Sequence, residues 1–306
     1  MVTPLAFEFG SRILTPVVSG AIQGAVYGLL GLGIVLLYKG NRIFNFAQAE
    51  FGAVAAFGCY SGLTGFGFVP KMPYPIAAIF GVSAAVLVAL LTERLVVRPL
   101  FSQPKVTLVV ATAGVALLII ATTGFLFGAE GVTLQPVLEG AAFTSGGLRI
   151  TKQGLVIVAV LVVLALASAA FFKRTRTGTA ILAVSMEPTA TSLVGISVNK
   201  ISALTWGFAG LLGGIAGILF AGNSGVLAPG VLTGIALIPA FTAAVFGGIT
   251  SLPGAFLGGV VIGVIQALGA RNIPESVVPS ANQVVVFVLL LGVLLIRPAG
   301  LLGKET

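Results

Sequence analysis

Arg42-Ile43-Phe44-Asn45-Phe46-Ala47-Gln48-Ala49-Glu50-Phe51-Gly52 opens an apolar run that continues to Leu63, and it directly follows an earlier apolar run, Pro16–Tyr38. Each run is about as long as the 20 residues that a helix needs to cross the hydrocarbon core of a bilayer. Similar runs recur to the end of the chain: Pro75–Val96, Val106–Gly128, Gly154–Phe172, Ile201–Gly222, Leu232–Ile249, Gly254–Ala270 and Ala281–Ile296. The runs on either side of Ser251-Leu252-Pro253-Gly254 are two spans or one broken or re-entrant element. The sequence therefore predicts an all-α membrane protein, a polytopic helical bundle with eight or nine transmembrane segments.

The composition excludes a water-soluble domain. The 306 residues are 58% hydrophobic, only 8% are charged, and the mean hydropathy is +1.16. A soluble chain carries about 25% charged residues. The longest segments outside the apolar runs, an outer loop at about 129–153 and an inner loop at about 173–200, are too short to be separate domains. We expect a single transmembrane domain over residues 1–306.

Missing residue types restrict the chemistry of the chain. It has no histidine and no aspartate, and Cys59 is its single cysteine. A Ser-His-Asp triad, a histidine metal site and a thiolate cage are therefore excluded. A phosphate-binding loop of the G-x-x-x-x-G-K-[ST] type is absent as well. We expect a transport subunit that is not an enzyme and binds no cofactor or metal, with any nucleotide hydrolysis on another chain.

Basic residues set the predicted orientation, because cytoplasmic ends of spans carry more Lys and Arg. With nine crossings and the N-terminus outside, eleven of the 16 basic residues face the cytoplasm and five face outward. The cytoplasmic ones are Lys39, Arg42, Arg94, Arg98, Lys105, Lys173, Arg174, Arg176, Lys200, Arg297 and Lys304, and the outer ones are Arg12, Lys71, Arg149, Lys152 and Arg271. The C-terminus is then cytoplasmic. Because most of these residues flank apolar runs, the net charge of +8 indicates a membrane surface rather than nucleic acid.

Glycines recur at four-residue spacing, as in Gly20, Gly24 and Gly28 or Gly259 and Gly263. Small residues at this spacing let two helices approach closely in lipid. The contact is between helices of this chain or with another subunit, and the spacing does not distinguish the two.

Polar residues at the start of the second run have two interpretations. Asn45 and Gln48 fit a capping box, with Glu50 as an interfacial acid near the helix N-terminus. Alternatively, they line a translocation pathway or gate, since Glu50 is the one acid clearly inside an apolar run and such carboxylates usually face a cavity, partner or pathway. Gln23 and Thr242 are weaker pathway candidates.

The inner loop carries a second candidate site. Small and apolar residues at helical spacing precede and follow Glu187-Pro188, and proline starts a new helix or breaks one. The loop is therefore a short helix–turn–helix that docks on a partner, or an ordinary basic loop.

Four motifs resemble those of branched-chain amino acid ABC permeases. The stretch 42–52 is similar to the family signature N-F-A-[HQ]-[GA]-[DE], and residues 178–196 are similar to its cytoplasmic coupling loop. Ala240–Ala255 and the ending Arg297-Pro298-Ala299-Gly300-Leu301-Leu302-Gly303 resemble motifs of its second half.

The resemblance implies an importer permease in a bacterial inner membrane. Its partners would be a paralogous permease subunit or a second copy, two cytoplasmic ATPases that bind ATP-Mg, and an extracellular or periplasmic substrate-binding protein. The coupling residues would be Gly178, Glu187, Pro188 and Gly195, with Arg174 and Arg176 nearby, because Thr179 and Leu182 stand where the family often has arginines. The implied substrate is a branched-chain or related neutral amino acid; urea or a short amide is the alternative, and an ion-coupled secondary transporter is a third hypothesis.

Overall fold

The computed structural model describes residues 13–145, 148–272, 280–297 and 300–302. Its helices are α1 (Thr15–Asn41), α2 (Gln48–Thr64), α3 (Tyr74–Thr92), α4 (Lys105–Phe127), α5 (Lys152–Arg174), α6 (Arg176–Met186), α7 (Pro188–Leu193), α8 (Val198–Ser224), α9 (Ile238–Gly247), α10 (Leu252–Asn272) and α11 (Ala281–Ile296). π-Helical turns at Glu93–Val97 and Thr233–Leu237 extend α3 and precede α9, and Arg98–Leu100 forms a 3₁₀ turn. Strands β1 (Ala141–Ser145) and β2 (Leu148–Thr151) pair antiparallel. Arg12, Pro298, Ala299, Gly303 and Lys304 of the predicted layout and ending lie outside the described residues.

The helices confirm a mostly helical membrane protein. In the described part of the chain, six helices are long and apolar enough to cross a membrane: α1, α3 with its extension, α4, α5, α8 and α10. Shorter apolar helices cover Thr233–Gly247 and Ala281–Ile296. The hairpin β1–β2 is a correction to the all-α prediction. It lies between α4 and α5, in the loop predicted at about 129–153, where β1 and β2 pair their backbones outside the helices.

Three helices form the centre of the bundle. In α1, 83% of the most apolar stretch is buried, and in α8 67%, whereas in α5 the value is only 17%. α2 is buried along most of its length and packs against both α3 and α8. The peripheral helices therefore present apolar side chains outward, as a bilayer requires.

Backbone-to-backbone contacts between glycines hold the central helices together. A Cβ atom built on Gly24 would meet the carbonyl oxygen of Gly259 and lie 2.9 Å from Cα of Val260, and Gly217 faces Gly52 in the same way. Close approach of this kind replaces the hydrophobic drive that lipid does not supply. The four-residue glycine spacing thus serves packing within this chain at these positions.

Pairwise contacts give the helix directions. Gly20 contacts Gly263 and Gly28 contacts Phe256, so α1 and α10 are antiparallel. Gly213 lies against Gln48 and Gly217 against Gly52, so α2 and α8 are parallel. The remaining contacts between helices show that the apolar helices of the described chain alternate in direction from α1 to α11.

The bundle consequently has two distinct ends. We call the end that carries α6 and α7 the short-helix end, and the opposite end, with β1 and β2, the hairpin end. Asn41 donates a hydrogen bond to Ser202 at the short-helix end, and Val132 pairs with Leu227 at the hairpin end. The described basic residues divide between the ends as predicted, with Lys71, Arg149, Lys152 and Arg271 at the hairpin end.

Gly24→Ala should destabilise the protein by about 1–3 kcal/mol, because the new methyl group has to displace the backbone of α10. Gly114→Ala is the matched control, since no atom lies within 4 Å of a Cβ at that position on α4. Thermal unfolding can be followed through the reaction of buried Cys59 with a fluorogenic maleimide. Equal unfolding temperatures for both variants would contradict the packing assignment.

Candidate functional site

The link between α1 and α2 is fixed by one strained residue and one local turn. Arg42 ends α1 in the left-handed region, at φ 54°, and its N–H donates to the carbonyl of Tyr38. A non-glycine residue in this conformation is uncommon. Three residues later the side-chain oxygen of Asn45 accepts a 3.0 Å hydrogen bond from the N–H of Ala47, which turns the chain into α2.

Gln48 connects the three central helices. Its Nε2 donates a 2.9 Å hydrogen bond to the carbonyl of Ala209 on α8, and its Oε1 accepts one of 3.4 Å from Asn45. The amide fits between Gly33 of α1 and Gly213 of α8, where any Cβ atom would collide with it. The side chain is fully buried, so in this conformation Gln48 holds helices together and lines no open space.

The predicted capping box is wrong. α2 begins at Gln48, its N-cap residue is Ala47, and no side chain caps it. The physical reason is that the Gln48 Oε1 accepts from the Asn45 side-chain amide rather than from the Asn45 backbone N–H, while the Asn45 Oδ1 accepts from the N–H of Ala47 rather than from that of Gln48.

Glu50 is the unsatisfied member of this group. Its side chain is fully buried, and neither carboxylate oxygen has a hydrogen-bond partner among the described residues. Thr233, in the π-helical turn before α9, faces the carboxylate with its hydroxyl and backbone amide, but neither contact meets hydrogen-bond geometry. Because a buried carboxylate without a partner is costly, this position is the strongest candidate for a functional group.

The other two pathway candidates lie apart from Glu50. Gln23 is at the hairpin end, where it donates to the Tyr27 hydroxyl and accepts from Asn223, both at 3.4 Å. The Thr242 hydroxyl is buried and donates 2.8 Å to the carbonyl of Ile238 in its own helix. The structure hydrogen-bonds Asn45 to Gln48, and no hydrogen bond in the described part of the chain joins Gln23 or Thr242 to Asn45, Gln48 or Glu50.

Aromatic rings lie beside this group. Phe241 of α9 packs against Phe44 at 5.9 Å and Phe46 at 5.1 Å between ring centroids. The backbone N–H of Phe46 donates to the Thr112 hydroxyl of α4, and its ring is 38% exposed. Phe46 is thus the exposed residue of the stretch 41–50, whose other residues are buried or half-buried.

A second buried acid corrects the prediction that Glu50 is the one acid in an apolar run. Glu93 is fully buried and pairs with Arg98 at 2.8 Å, and Arg98 also donates to the carbonyl of Asn199 at the start of α8. The five-residue separation suits the π-helical turn at Glu93–Val97, which puts the two side chains on one face. Both residues can be read from the sequence. Their five-residue separation, however, does not match the three- or four-residue spacing of ion pairs on an α-helix.

The predicted break at Glu187-Pro188 is confirmed. Glu187 has extended backbone between α6 and α7, and Gly195 ends the segment with φ 85°. Gly178 is buried where α6 crosses the end of α5, and a Cβ there would meet the carbonyl of Phe171. Arg174, Arg176, Glu187 and Pro188 are exposed.

Apolar helices of alternating direction, a buried polar link and two short helices at one end are typical of a polytopic membrane transport protein. The sequence profile of "Branched-chain amino acid transport system / permease component" matches residues 17–294. The chain belongs to this family.

Curated relatives span nearly the whole chain. It is 29% identical over 299 residues to the "High-affinity branched-chain amino acid transport system permease protein BraD" of Pseudomonas aeruginosa, covering 95% of this chain and 96% of that protein. It is also 29% identical to LivH of Escherichia coli, covering 94% of each chain. A solved structure, PsaBC from Streptococcus pneumoniae in complex with Fab, is similar with 16% identity and a TM-score of 0.49 over 96% of each chain.

Gln48→Leu should lower stability by about 1–3 kcal/mol, because it removes the hydrogen bond to Ala209 and leaves the buried Asn45 amide without its acceptor. If Gln48 acts only through packing, uptake should fall in proportion to the amount of folded protein. The measurement is uptake per unit of monodisperse protein, with Gln103→Leu on an exposed turn as the control. Fully folded Q48L with lost uptake would instead make Gln48 a pathway residue.

Proposed function

We propose that the chain is the permease subunit of an ABC importer that moves branched-chain or related neutral amino acids across a bacterial inner membrane. ATP-Mg would be bound and hydrolysed by two separate ATPase subunits. A second permease subunit and an extracellular or periplasmic binding protein would complete the assembly. Membership of the permease family supports the substrate class and the division of labour.

The observation that carries the proposal is the exposed apolar surface of the short helices. Met186 at the end of α6 is 74% exposed, and Leu193 and Val194 at the end of α7 are 83% and 75% exposed. This segment follows the basic residues Lys173 and Arg174 and extends from the short-helix end, where lipid tails do not cover it. Apolar side chains in such a place fit a groove on a partner protein.

The segment is also linked to the bundle in a way that can transmit motion. Thr175 donates to the Phe171 carbonyl at 2.7 Å and accepts from the Gly178 N–H at 3.0 Å, so α5 and α6 meet at a bonded corner. The buried residue Ile181 of α6 packs near Gly40 of α1. A displacement of α7 would therefore be transmitted to α1 through the packing of α6 against α1.

Alternating helix directions support nine crossings. α9 and α10 pack antiparallel around Gly247 and Gly254, which favours two spans over one broken element. With the short-helix end on the ATPase side, the N-terminus would be outside and the C-terminus cytoplasmic. The division of basic residues between the two ends agrees with this orientation.

Glu50 is proposed as the polar group that the substrate route uses. It is buried next to the turn Thr233–Leu237. Two residues of this turn, Gly234 and Ile235, are exposed on the surface. π-Helical turns are frequent at functional sites. A shift of this turn would uncover the carboxylate toward the ammonium group of an amino acid.

Replacing Leu193 and Val194 together by Ser should abolish most uptake and weaken co-purification of the ATPase, because the partner loses its apolar contact. Uptake and ATP hydrolysis are measured on the reconstituted complex. The control is Phe68→Ser with Leu138→Ser, two exposed apolar residues at the hairpin end. Normal uptake in the first variant would count against docking through this segment.

Glu50→Gln should reduce uptake while the complex assembles normally, because the amide keeps the size of the side chain and removes its charge. Uptake of labelled leucine by proteoliposomes measures the effect, and Glu139→Gln on the exposed outer loop is the control. Wild-type rates for E50Q would remove Glu50 from the route.

The substrate class is tested with a panel of labelled compounds on the wild-type complex. Leucine, isoleucine and valine should be transported in preference to urea and acetamide. Preferential uptake of urea or acetamide would replace the proposed substrate class, and uptake driven by an ion gradient without ATP would overturn the importer itself.

A further inference from the structure

A cavity of about 480 Å³ lies at the short-helix end, between the bundle and the short helices α6 and α7, and several polar side chains are part of its lining. It is lined from α1 by Asn41 and Arg42, from the start of α4 by Lys105, from α6 by Ser185 and from α8 by Asn199 and Ser202. It is separate from Glu50, and the proposed transport mechanism does not use it.

Two cations line the cavity and none of its lining residues is acidic. Arg42 is half-buried, its guanidinium lies 5.6 Å from the centre of the Tyr38 ring, and neither Arg42 nor Lys105 pairs with a carboxylate in the described part of the chain. Glu187 is the nearest acid along the chain, next to the lining residue Pro188, and it is exposed. The electrostatic potential of the cavity therefore favours an anion.

The backbone adds donors to these side chains. Lys105 is the first residue of the 23-residue helix α4, and Val198, another lining residue, is the first of the 27-residue helix α8. Neither helix has a side-chain cap. The free N–H groups of a first helical turn bind oxyanions well.

A buried amide with an unmet hydrogen-bonding atom points independently to a ligand. Asn41 is only 8% exposed; its Nδ2 donates 2.8 Å to the Ser202 hydroxyl, and its Oδ1 has no partner in the described residues. The Ser202 hydroxyl can donate as well as accept, so a half-turn of the amide would pair Oδ1 with it. The amide would then offer its N–H to the cavity. The residue can thus serve an anion without losing its existing bond.

We propose that this cavity is a binding site for a phosphate-type oxyanion, held by Arg42, Lys105, the Asn41 amide and the first turns of α4 and α8. The anion would be the headgroup of an acidic phospholipid of the adjacent leaflet or a soluble phosphate. Basic pockets between helices at this side of a membrane suit such headgroups. By joining α1 to the first turns of α4 and α8, the anion would stiffen the part of the bundle against which α6 packs.

The test uses the purified full-length chain in detergent, with unfolding followed through the single buried thiol, Cys59. Inorganic phosphate is titrated against chloride at constant ionic strength, and phosphatidylglycerol is titrated against phosphatidylcholine in mixed micelles. We expect a saturable rise in unfolding temperature with at least one of the two anionic probes. A response to phosphate identifies a soluble source, and a response to phosphatidylglycerol alone identifies a headgroup.

Arg42→Gln combined with Lys105→Gln should raise the midpoint concentration at least about tenfold, since two charge-assisted hydrogen bonds are lost. Arg42→Lys with Lys105→Arg keeps the charges and should retain the response. Lys71→Gln with Arg149→Gln removes two exposed cations at the hairpin end and is the matched control.

Three results would overturn the site: no saturable response to either anion, an equal response in the R42Q/K105Q variant, or an equal loss in the control. If R42Q/K105Q fails to fold, Ser185→Phe fills the cavity instead, and an unchanged response in that variant would also overturn it. Because the assay measures binding without transport or ATPase, its outcome is independent of the proposed transport function.

Discussion

Backbone-to-backbone contact at glycine is the constraint on which the other features of this bundle depend. Where Gly24 meets Gly259, and Gly52 meets Gly217, the helices approach more closely than any side chain would allow. In lipid, an apolar side chain gains little by leaving the tails for another helix, so packing and hydrogen bonding have to supply the association energy. Close approach supplies the packing, and it also leaves room for few polar groups between helices.

Gln48 shows how the same constraint determines the polar link. Its amide can reach the Ala209 carbonyl only because Gly33 and Gly213 leave a space that no Cβ occupies. Gly33, Gly213 and Gln48 therefore form one contact between helices, although they are up to 180 residues apart in the chain. A larger residue at either glycine would expel the amide and break its hydrogen bonds to Ala209 and Asn45.

Much of the fold follows from one-dimensional patterns. Each predicted apolar run contains a helix in the described part of the chain, because hydropathy is a local property, and the break at Glu187-Pro188 follows from proline's lack of a backbone N–H. Features that depend on distant partners were not predictable. The capping box of Asn45 and Gln48 fitted the local pattern, but the Gln48 amide is oriented by its hydrogen bond to Ala209, which lies on α8. Similarly, Glu93 and Arg98 pair through a π-helical turn whose five-residue spacing the α-helical rule does not anticipate.

Buried polar groups in this protein divide into those that are satisfied and those that are not, and the division carries the functional argument. Gln48, Thr242 and Glu93 have partners, and each stabilises a helix or a contact between helices. Glu50 and the Asn41 oxygen have none in the described residues; Glu50 lies beside the π-helical turn before α9, and Asn41 lines the cavity beside α6. A group that costs free energy in one conformation and gains a partner in another, or with a ligand, shifts the balance between them. Tyr74, Trp206 and Thr233 also bury a polar atom without a partner in the described residues, so Glu50 and Asn41 stand out because one is a carboxylate inside the bundle and the other lines a cavity.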